Sequence, residues 1–353
     1  MTGFSALSRL DHGASMLRTR YETLTRQLSD TRRGPTLGDI APSVPRAIDL
    51  RGEVARRAAY ATVIDRSLGQ VGVAQTSLQA LFGIATRAFA LAQSASTANP
   101  VGVAAAAVEA RVALAQATEL LNTQIGGVYV FGGLDTTRPP VPNAAAIGDS
   151  GMVQQITAAV QGLGGSDAAA VWAATGDAAS SDAPGVTPFS DYASDPARGL
   201  ADTRTSVPGA DGQLVAAGLF ANRNAGAAST GETTGSWARD LLRGLASLAA
   251  LGSDQLAQGP PFDTLMVSLR SGLRAASAGI AQEQGALGVA EVRLGAMRTD
   301  HEAVTTILTL QLANIEEVDV ADVITRMKAT EAQLEASYRA ISMASTLSLA
   351  RFL

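Results

Sequence analysis

Residues 318–353 read VDVADVITRMKATEAQLEASYRAISMASTLSLARFL, and the fold turns on how this stretch is read. Val320, Val323, Ile324, Met327, Leu334, Tyr338 and Ile341 make a stripe at helical spacing. At 1.5 Å per residue such a helix is about 50 Å long. The stripe is narrow: Thr330 and Glu331 interrupt it, and Ser342, Ser345 and Ser348 thin it out towards the end, around Leu349. A helix of this kind is only marginally stable alone and needs a partner.

Part of the answer lies at the opposite end of the chain. Leu7, Leu10, Ala14, Leu17, Tyr21, Leu24 and Leu28 recur at alternating spacings of three and four, which is a heptad seam. Arg9, Asp11, Arg18, Arg20, Glu22 and Arg26 fall between them, on faces a coiled coil leaves to solvent or to neighbouring chains. A helical hairpin within one chain uses such a seam as readily.

Between the ends the pattern changes several times. Ser29 to Pro45 contains Gly34-Pro35, Gly38-Asp39 and two further prolines, and reads as a turn or extended linker. A second helical stripe passes through Tyr60, Ile64, Val71, Leu78, Leu81 and Phe89 and stops near Asn99-Pro100, and an alanine-rich helix follows to about Gln124. Then comes IGGVYVFGGLDTTRPPVP, a short β-prone run from Val128 to Phe131 set between two Gly-Gly pairs. Residues 135–235 are rich in Gly, Ala, Ser, Thr, Asp and Pro, with turn signals at Ala183-Pro184-Gly185 and Gly209-Ala210-Asp211-Gly212. Helical periodicity returns at Trp237 and again from Phe262 to Ile315.

The expected fold is therefore mainly α, with a smaller β-rich or irregular insert and a long helical bundle formed by both chain ends. Its parts are an N-terminal coiled-coil segment and linker (1–45), a first half of a helical rod (46–134), a variable, outward-facing insert expected to be β-rich (135–235), a second half of the rod (236–317) and a C-terminal coiled-coil segment (318–353).

Composition narrows the function. A 46% hydrophobic content with only 4% aromatics favours close-packed helices over a bulky core. The net charge of −5 is concentrated in the middle: residues 135–232 hold ten acidic side chains against four Arg, leaving the remainder near +1. No basic patch points to nucleic acid. Lys328 is the only lysine, and cysteine is absent, which removes disulfides and thiol chemistry. Neither a cleaved secretion signal nor an apolar run of membrane-spanning length is expected.

No catalytic, cofactor or metal site is expected. Gly148-Asp149-Ser150-Gly151 spells a serine-protease nucleophile motif, but the only histidines, His12 and His301, lie in helical stripes, and a turn explains the same four residues. The isolated histidines show no metal-ligand spacing and read as surface or helix-interface residues. Gly126-Gly127 and Gly132-Gly133 do not follow a strand and open a helix, so they read as a structural turn and not a nucleotide loop. Asp319, Asp322, Glu316 and Glu317 sit near the start of the last helix, where the dipole favours negative charge.

Three of these stretches together resemble the flagellin family. The C-terminal stretch has the acidic-aliphatic start, the Leu334-x-Ala336-Ser337 core and the closing Ser348-Leu349 and Leu353. LLNTQIGGVYVFGGLDTTRPPV is similar to the turn of the family's hook-filament junction branch through Asn122, Gly126, Gly127, Tyr129, Phe131 and Gly133. The N-terminal heptads fit either branch. The resemblance covers 1–134 and 236–353. One departure lies after the first helix, where many relatives carry Ser-Gly-Lys/Leu-Arg and then Asp-Asp, and this chain has Ser29-Asp30-Thr31-Arg32-Arg33-Gly34-Pro35 with only Asp39 further on.

The resemblance implies an extracellular structural subunit that pairs its terminal segments as it assembles. It would be exported by the flagellar type III pathway without a cleaved signal peptide. The implied partners are further copies of itself in a ring, the hook-side junction protein, flagellin and an export chaperone, with no nucleic acid and no membrane insertion. A filament-forming flagellin is the nearest alternative, and an unrelated helical secreted or surface protein the next.

Overall fold

The apolar periodicity of the chain becomes helix almost throughout. The computed structural model describes the backbone of residues 2–349 and the side chains of residues 8–343, so the side chains of the expected seam positions Leu7 and Leu349 lie outside it. In chain order the helices are α1 (Thr2–Asp30), α2 (Val44–Ser94), α3 (Pro100–Leu121), α4 (Gly151–Gln161), α5 (Ala168–Ser180), α6 (Trp237–Ala249), the single turn α7 (Ser253–Leu256), α8 (Pro260–Glu316) and α9 (Val320–Leu349). Two 3-10 turns, Leu37–Ile40 and Ala144–Asp149, and two short antiparallel hairpins complete the described elements; the hairpins pair β1 (Gln124–Ile125) with β2 (Val128–Tyr129), and β3 (Ser206–Ala210) with β4 (Gln213–Ala216). A mainly α fold with helices at both chain ends packed on each other is thus observed.

The chain forms two compact units: Tyr60–Asp300, and Met1–Ala59 together with His301–Leu353. In the first, α6 is the central element, with every residue from Trp237 to Ala249 buried. It includes Arg239 and Arg243, which a core accepts only when their donors are satisfied. Arg239 donates to Asn222 O at 2.8 Å and Ala179 O at 3.0 Å and pairs with Asp182. Arg243 donates to Thr175 Oγ1 at 2.9 Å and to Trp172 O, and its guanidinium lies 3.6 Å from the centre of the Trp172 ring. Burial pushes the Arg243 guanidinium down to about 10, against the opposing pull of Asp240, Glu232 and Asp177.

α3 is long and apolar enough to cross a membrane by length and composition. Its Val103, Ala106, Ala110, Leu114, Ala117 and Leu121 face packs into the core against α6, so here it serves as a core helix.

The expectation of a β-rich insert at 135–235 is corrected. Among the described residues this region holds α4, α5, a 3-10 turn at Ala144–Asp149 and the single hairpin β3–β4. Met152, Ile156 and Val160 recur every four residues along α4, and Ser150 caps it by accepting from Val153 N. Asp167 Oδ1 accepts from Ala170 N at 2.6 Å and starts α5. High Gly, Ser and Thr content hid two short, capped helices. Their apolar faces join the same core as α3 and α6, so the region is no loose appendage of its unit.

The Gly-Gly turn closes β1 on β2. Ile125 faces Val128, and Gly126 and Gly127 between them have φ of 57° and 80°, the left-handed pair a two-residue hairpin demands. Tyr129 sits in β2, and Phe131 beyond it is buried, edge-on to Trp237 at 6.3 Å between ring centres. Gly133 also has positive φ, and a Cβ there would stand 2.8 Å from the Phe220 ring.

Candidate assembly interface

The second unit holds both chain ends. α1 packs on α9. Along α1 the covered positions are Leu10, Ala14, Leu17, Tyr21, Leu24 and Leu28, with Ala14 and Leu24 fully buried and the charged positions between them exposed. This is the face the heptad spacing selected.

On α9 the covered face differs from the expected one. Ile324, Met327, Leu334 and Ile341 are half-buried, but Val320 is 39% and Tyr338 46% exposed. Val323, a member of the stripe, is buried, and so is Thr330, which the stripe left out; Ser337 is half-buried. The inward series is 323, 327, 330, 334, 337, 341. Thr330, read as an interruption, completes it. Its hydroxyl donates to Arg326 O at 2.7 Å, so a polar side chain enters the seam with its donor satisfied. The 3-4 alternation running on from Met327 marks position 330 as inward, and the polarity of threonine conceals it.

The two series match as mirror images. α1 steps 10, 14, 17, 21, 24, 28, and α9 read backwards steps 341, 337, 334, 330, 327, 323, with the same alternation of four and three. The packing is antiparallel because the segment leaving α1 lies beside the one entering α9. Arg32 and Glu317 form an antiparallel bridge, Arg33 N donates to Glu316 O at 2.8 Å, and Val318 N donates to Thr31 O at 2.9 Å.

Around this junction the last turn of α8 is capped by Arg33. Its Nε donates to Glu317 O at 3.1 Å and its Nη2 to Asn314 O at 3.0 Å. Glu316, expected near the start of the last helix, ends α8 and pairs with Arg51 at 2.7 Å. Asp319 opens α9, its Oδ1 accepting from Ala321 N at 2.8 Å. In the linker the Asp39 carboxyl is held below the usual carboxylate range, first by the Thr36 hydroxyl and then by the Thr36 amide. No short-range pattern marks Arg33 in the sequence, because its partners lie more than 280 positions away.

Several large apolar side chains of this unit remain exposed: Met16 on α1, Ile307 and Leu310 on α8, and Tyr338 and Met343 on α9. From Ala303 to Ile315, α8 carries no charge at all. Val304, Leu308, Leu312 and Ile315 are half-covered within the unit, while Ile307 and Leu310 face out. Such an uncharged stretch can be covered without burying an ion.

His12 is exposed on α1, and His301 is buried with its Nδ1 3.4 Å from Arg57 Nη1. Ser150, in the other unit, beside a cleft of about 620 Å³, has its hydroxyl engaged as the α4 cap. Among the described residues no group of three His, Asp or Glu side chains is arranged to hold a metal ion.

Residues 271–353 match the family model of the bacterial flagellin C-terminal helical region. That span includes most of α8 and all of the described α9, and the match supports the flagellin resemblance and a flagellar structural role. No curated protein matches the chain.

Proposed function

We propose that this chain is a structural, non-enzymatic subunit of the bacterial flagellum, and that it is the junction subunit joining hook to filament. The observation that carries the reading is the antiparallel pairing of the two chain ends on mirrored heptads. It accounts for a terminal stripe too weak to stand alone, and it is the arrangement the flagellin resemblance implies. The exposed apolar positions on α8 and α9 then take a meaning: they are the surfaces that neighbouring copies cover when a ring of subunits forms, with ordering of the ends coupled to assembly. The choice of junction over filament rests on the Gly126-Gly127-x-Tyr129-x-Phe131-x-Gly133 turn, which resembles that of the junction branch. In this role the subunit is exported through the flagellar channel to the cell exterior. It contacts the hook-side junction protein on one side and flagellin on the other, and an export chaperone holds it beforehand.

The test is deletion of the gene followed by electron microscopy. Hooks without filaments, and flagellin shed into the medium, are expected. Normal filaments would refute the junction role, and assembly of the purified chain into long filaments would favour a filament flagellin. Leu17→Asp on the chromosome should reproduce the deletion, because it sets a charge in the α1–α9 seam.

A further inference from the structure

We propose that the cleft beside Ser150 is a binding site for arginine side chains of a partner polypeptide. It lies within the Tyr60–Asp300 unit, and its volume of about 620 Å³ falls in the range of small-ligand sites. Residues 135–151 form one wall and residues 185–192 the other. The walls are fastened at both ends: Ser190 N donates to Pro140 O and Met152 N to Val186 O, each at 2.8 Å. Between those bonds the segments part, and the buried Ile147 and Phe189 close the floor. Gly151 lets the walls meet, since a Cβ there would collide with Gly185 O. The opening is therefore preformed, and a ligand has little ordering to impose.

Three residues of the kind that usually fixes turns line this cleft without doing so. Asn143 precedes the Ala144–Asp149 turn, but its amide makes no capping bond. Asp149 precedes α4, whose cap is the Ser150 hydroxyl. Asp191 follows Ser190, and it is the Ser190 hydroxyl that accepts from Ala193 N at 3.2 Å. All three side chains are exposed, and among the described residues none has a hydrogen-bond or ion-pair partner. The local backbone uses the two serines and leaves one carboxylate idle on each wall.

The charge selects the ligand. Asp135 is offset by Arg138, whose Nε lies 2.9 Å from its Oδ2, so Asp149 and Asp191 leave the cleft at a net charge of −2. A concave, partly apolar surface focuses that field and draws in a cation. A metal ion is disfavoured, because among the described residues no three His, Asp or Glu side chains converge. A sugar stacked on a ring is disfavoured too. Phe189 is buried with the Arg239 guanidinium 5.1 Å from its ring centre, and Tyr192 has Arg198 at 5.9 Å and donates its hydroxyl to Asp202. A guanidinium fits: its planar donors match the carboxylates and the Asn143 carbonyl, and its apolar stem suits the Pro142 and Pro188 walls. The site rests neither on the assembly role proposed above nor on the chain ends.

The experiment is isothermal titration of the full-length protein with the blocked peptide acetyl-Arg-Arg-amide at low salt. Saturable binding of one peptide per chain is expected, weakening as salt is raised. Asp149→Asn and Asp191→Asn should each weaken it about tenfold, as loss of one charge-assisted contact implies. Both positions are exposed, so the variants should keep the wild-type tryptophan fluorescence. Acetyl-Lys-Lys-amide should bind several-fold more weakly, and acetyl-Glu-Glu-amide not at all. Absence of saturable binding would overturn the proposal, as would an affinity that neither Asn variant changes. So would equal binding of the lysine or the glutamate peptide. Tight calcium binding that both Asn variants abolish would make this a metal site and overturn the arginine assignment.

Discussion

Glu283 offers the sharpest test of how the 135–235 region is fastened to its unit. Its side chain, on α8, is fully buried. Oε1 accepts from Ala225 N at 2.5 Å, Gly226 N at 2.9 Å and Ala227 N at 3.2 Å, and Oε2 accepts from Gly226 N at 2.9 Å. Gly226 is needed there, since a Cβ would stand 2.7 Å from Ala286 Cβ. Arg204 lies close enough for the Glu283 charge to offset part of the desolvation that lowers its guanidinium. Glu283→Ala leaves three amide donors without their acceptor and Arg204 without its counter-charge. At about 1–3 kcal/mol for each buried unsatisfied group, with water and loop relaxation recovering part, the expected loss is about 3–5 kcal/mol. Glu283→Gln keeps one acceptor oxygen and should lose about half as much. Trp172 and Trp237, the only two tryptophans, both lie in the Tyr60–Asp300 unit, so tryptophan fluorescence during urea unfolding reads this unit alone. A loss below about 1 kcal/mol for Glu283→Ala would refute the argument that this carboxylate pins the loop.

Other expectations concern the seam and the core. Thr330→Val keeps the shape and removes a buried hydroxyl, so the terminal pair should gain about 0.5–1 kcal/mol, seen as more helix by circular dichroism of the free chain with the tryptophan signal unmoved; a clear loss would mean the Thr330 hydroxyl has a role beyond its bond to Arg326. Tyr338→Ser should leave the stability of the terminal pair within about 0.5 kcal/mol of wild type, because the ring lies off the α1 contact, yet should impair incorporation into flagella. Burial pushes the Asp240 carboxyl above its ordinary 3.8, with Thr234 hydrogen bonds opposing. A raised folded value means that its contribution is fully present below 3.8 and is lost as pH rises through the folded value. The stability of wild type relative to Asp240→Asn should therefore fall between pH 3 and pH 7, and a rise measured by urea midpoints would contradict the assignment.

The helical arms were legible because a seam of seven apolar positions on α1 leaves little else for the segment to be. Leu24 is buried, and Leu10, Leu17, Tyr21 and Leu28 are half-buried, all where spacing alone puts them. Two things were not legible, for different reasons. The helices α4 and α5 are short, and α5 is rich in alanine, so their periodicity rests on a few residues each and their caps, Ser150 and Asp167, look like ordinary loop residues. The Arg33 cap on α8 depends on partners at 314–317, and a contact closed by the whole fold leaves no mark on nearby residues.

The misplaced edge of the α9 stripe carries a further consequence. Positions 320, 324, 327, 334, 338 and 341 belong to one heptad count, and 323, 327, 330, 334, 337 and 341 to another offset from it by three residues. Met327, Leu334 and Ile341 belong to both. α1 covers the second count and leaves Val320 and Tyr338 of the first exposed. A helix that served only an intramolecular hairpin would have no need of the first count, and polar residues at 320 and 338 would suit it better. Under the assembly role proposed above, α9 is gripped by α1 within its own chain and by a neighbouring copy outside it, and a second, partial seam interrupted at Glu331 suits that role. The weakness of each stripe taken singly is then part of the same arrangement: neither contact suffices alone, so a firm α9 depends on having both.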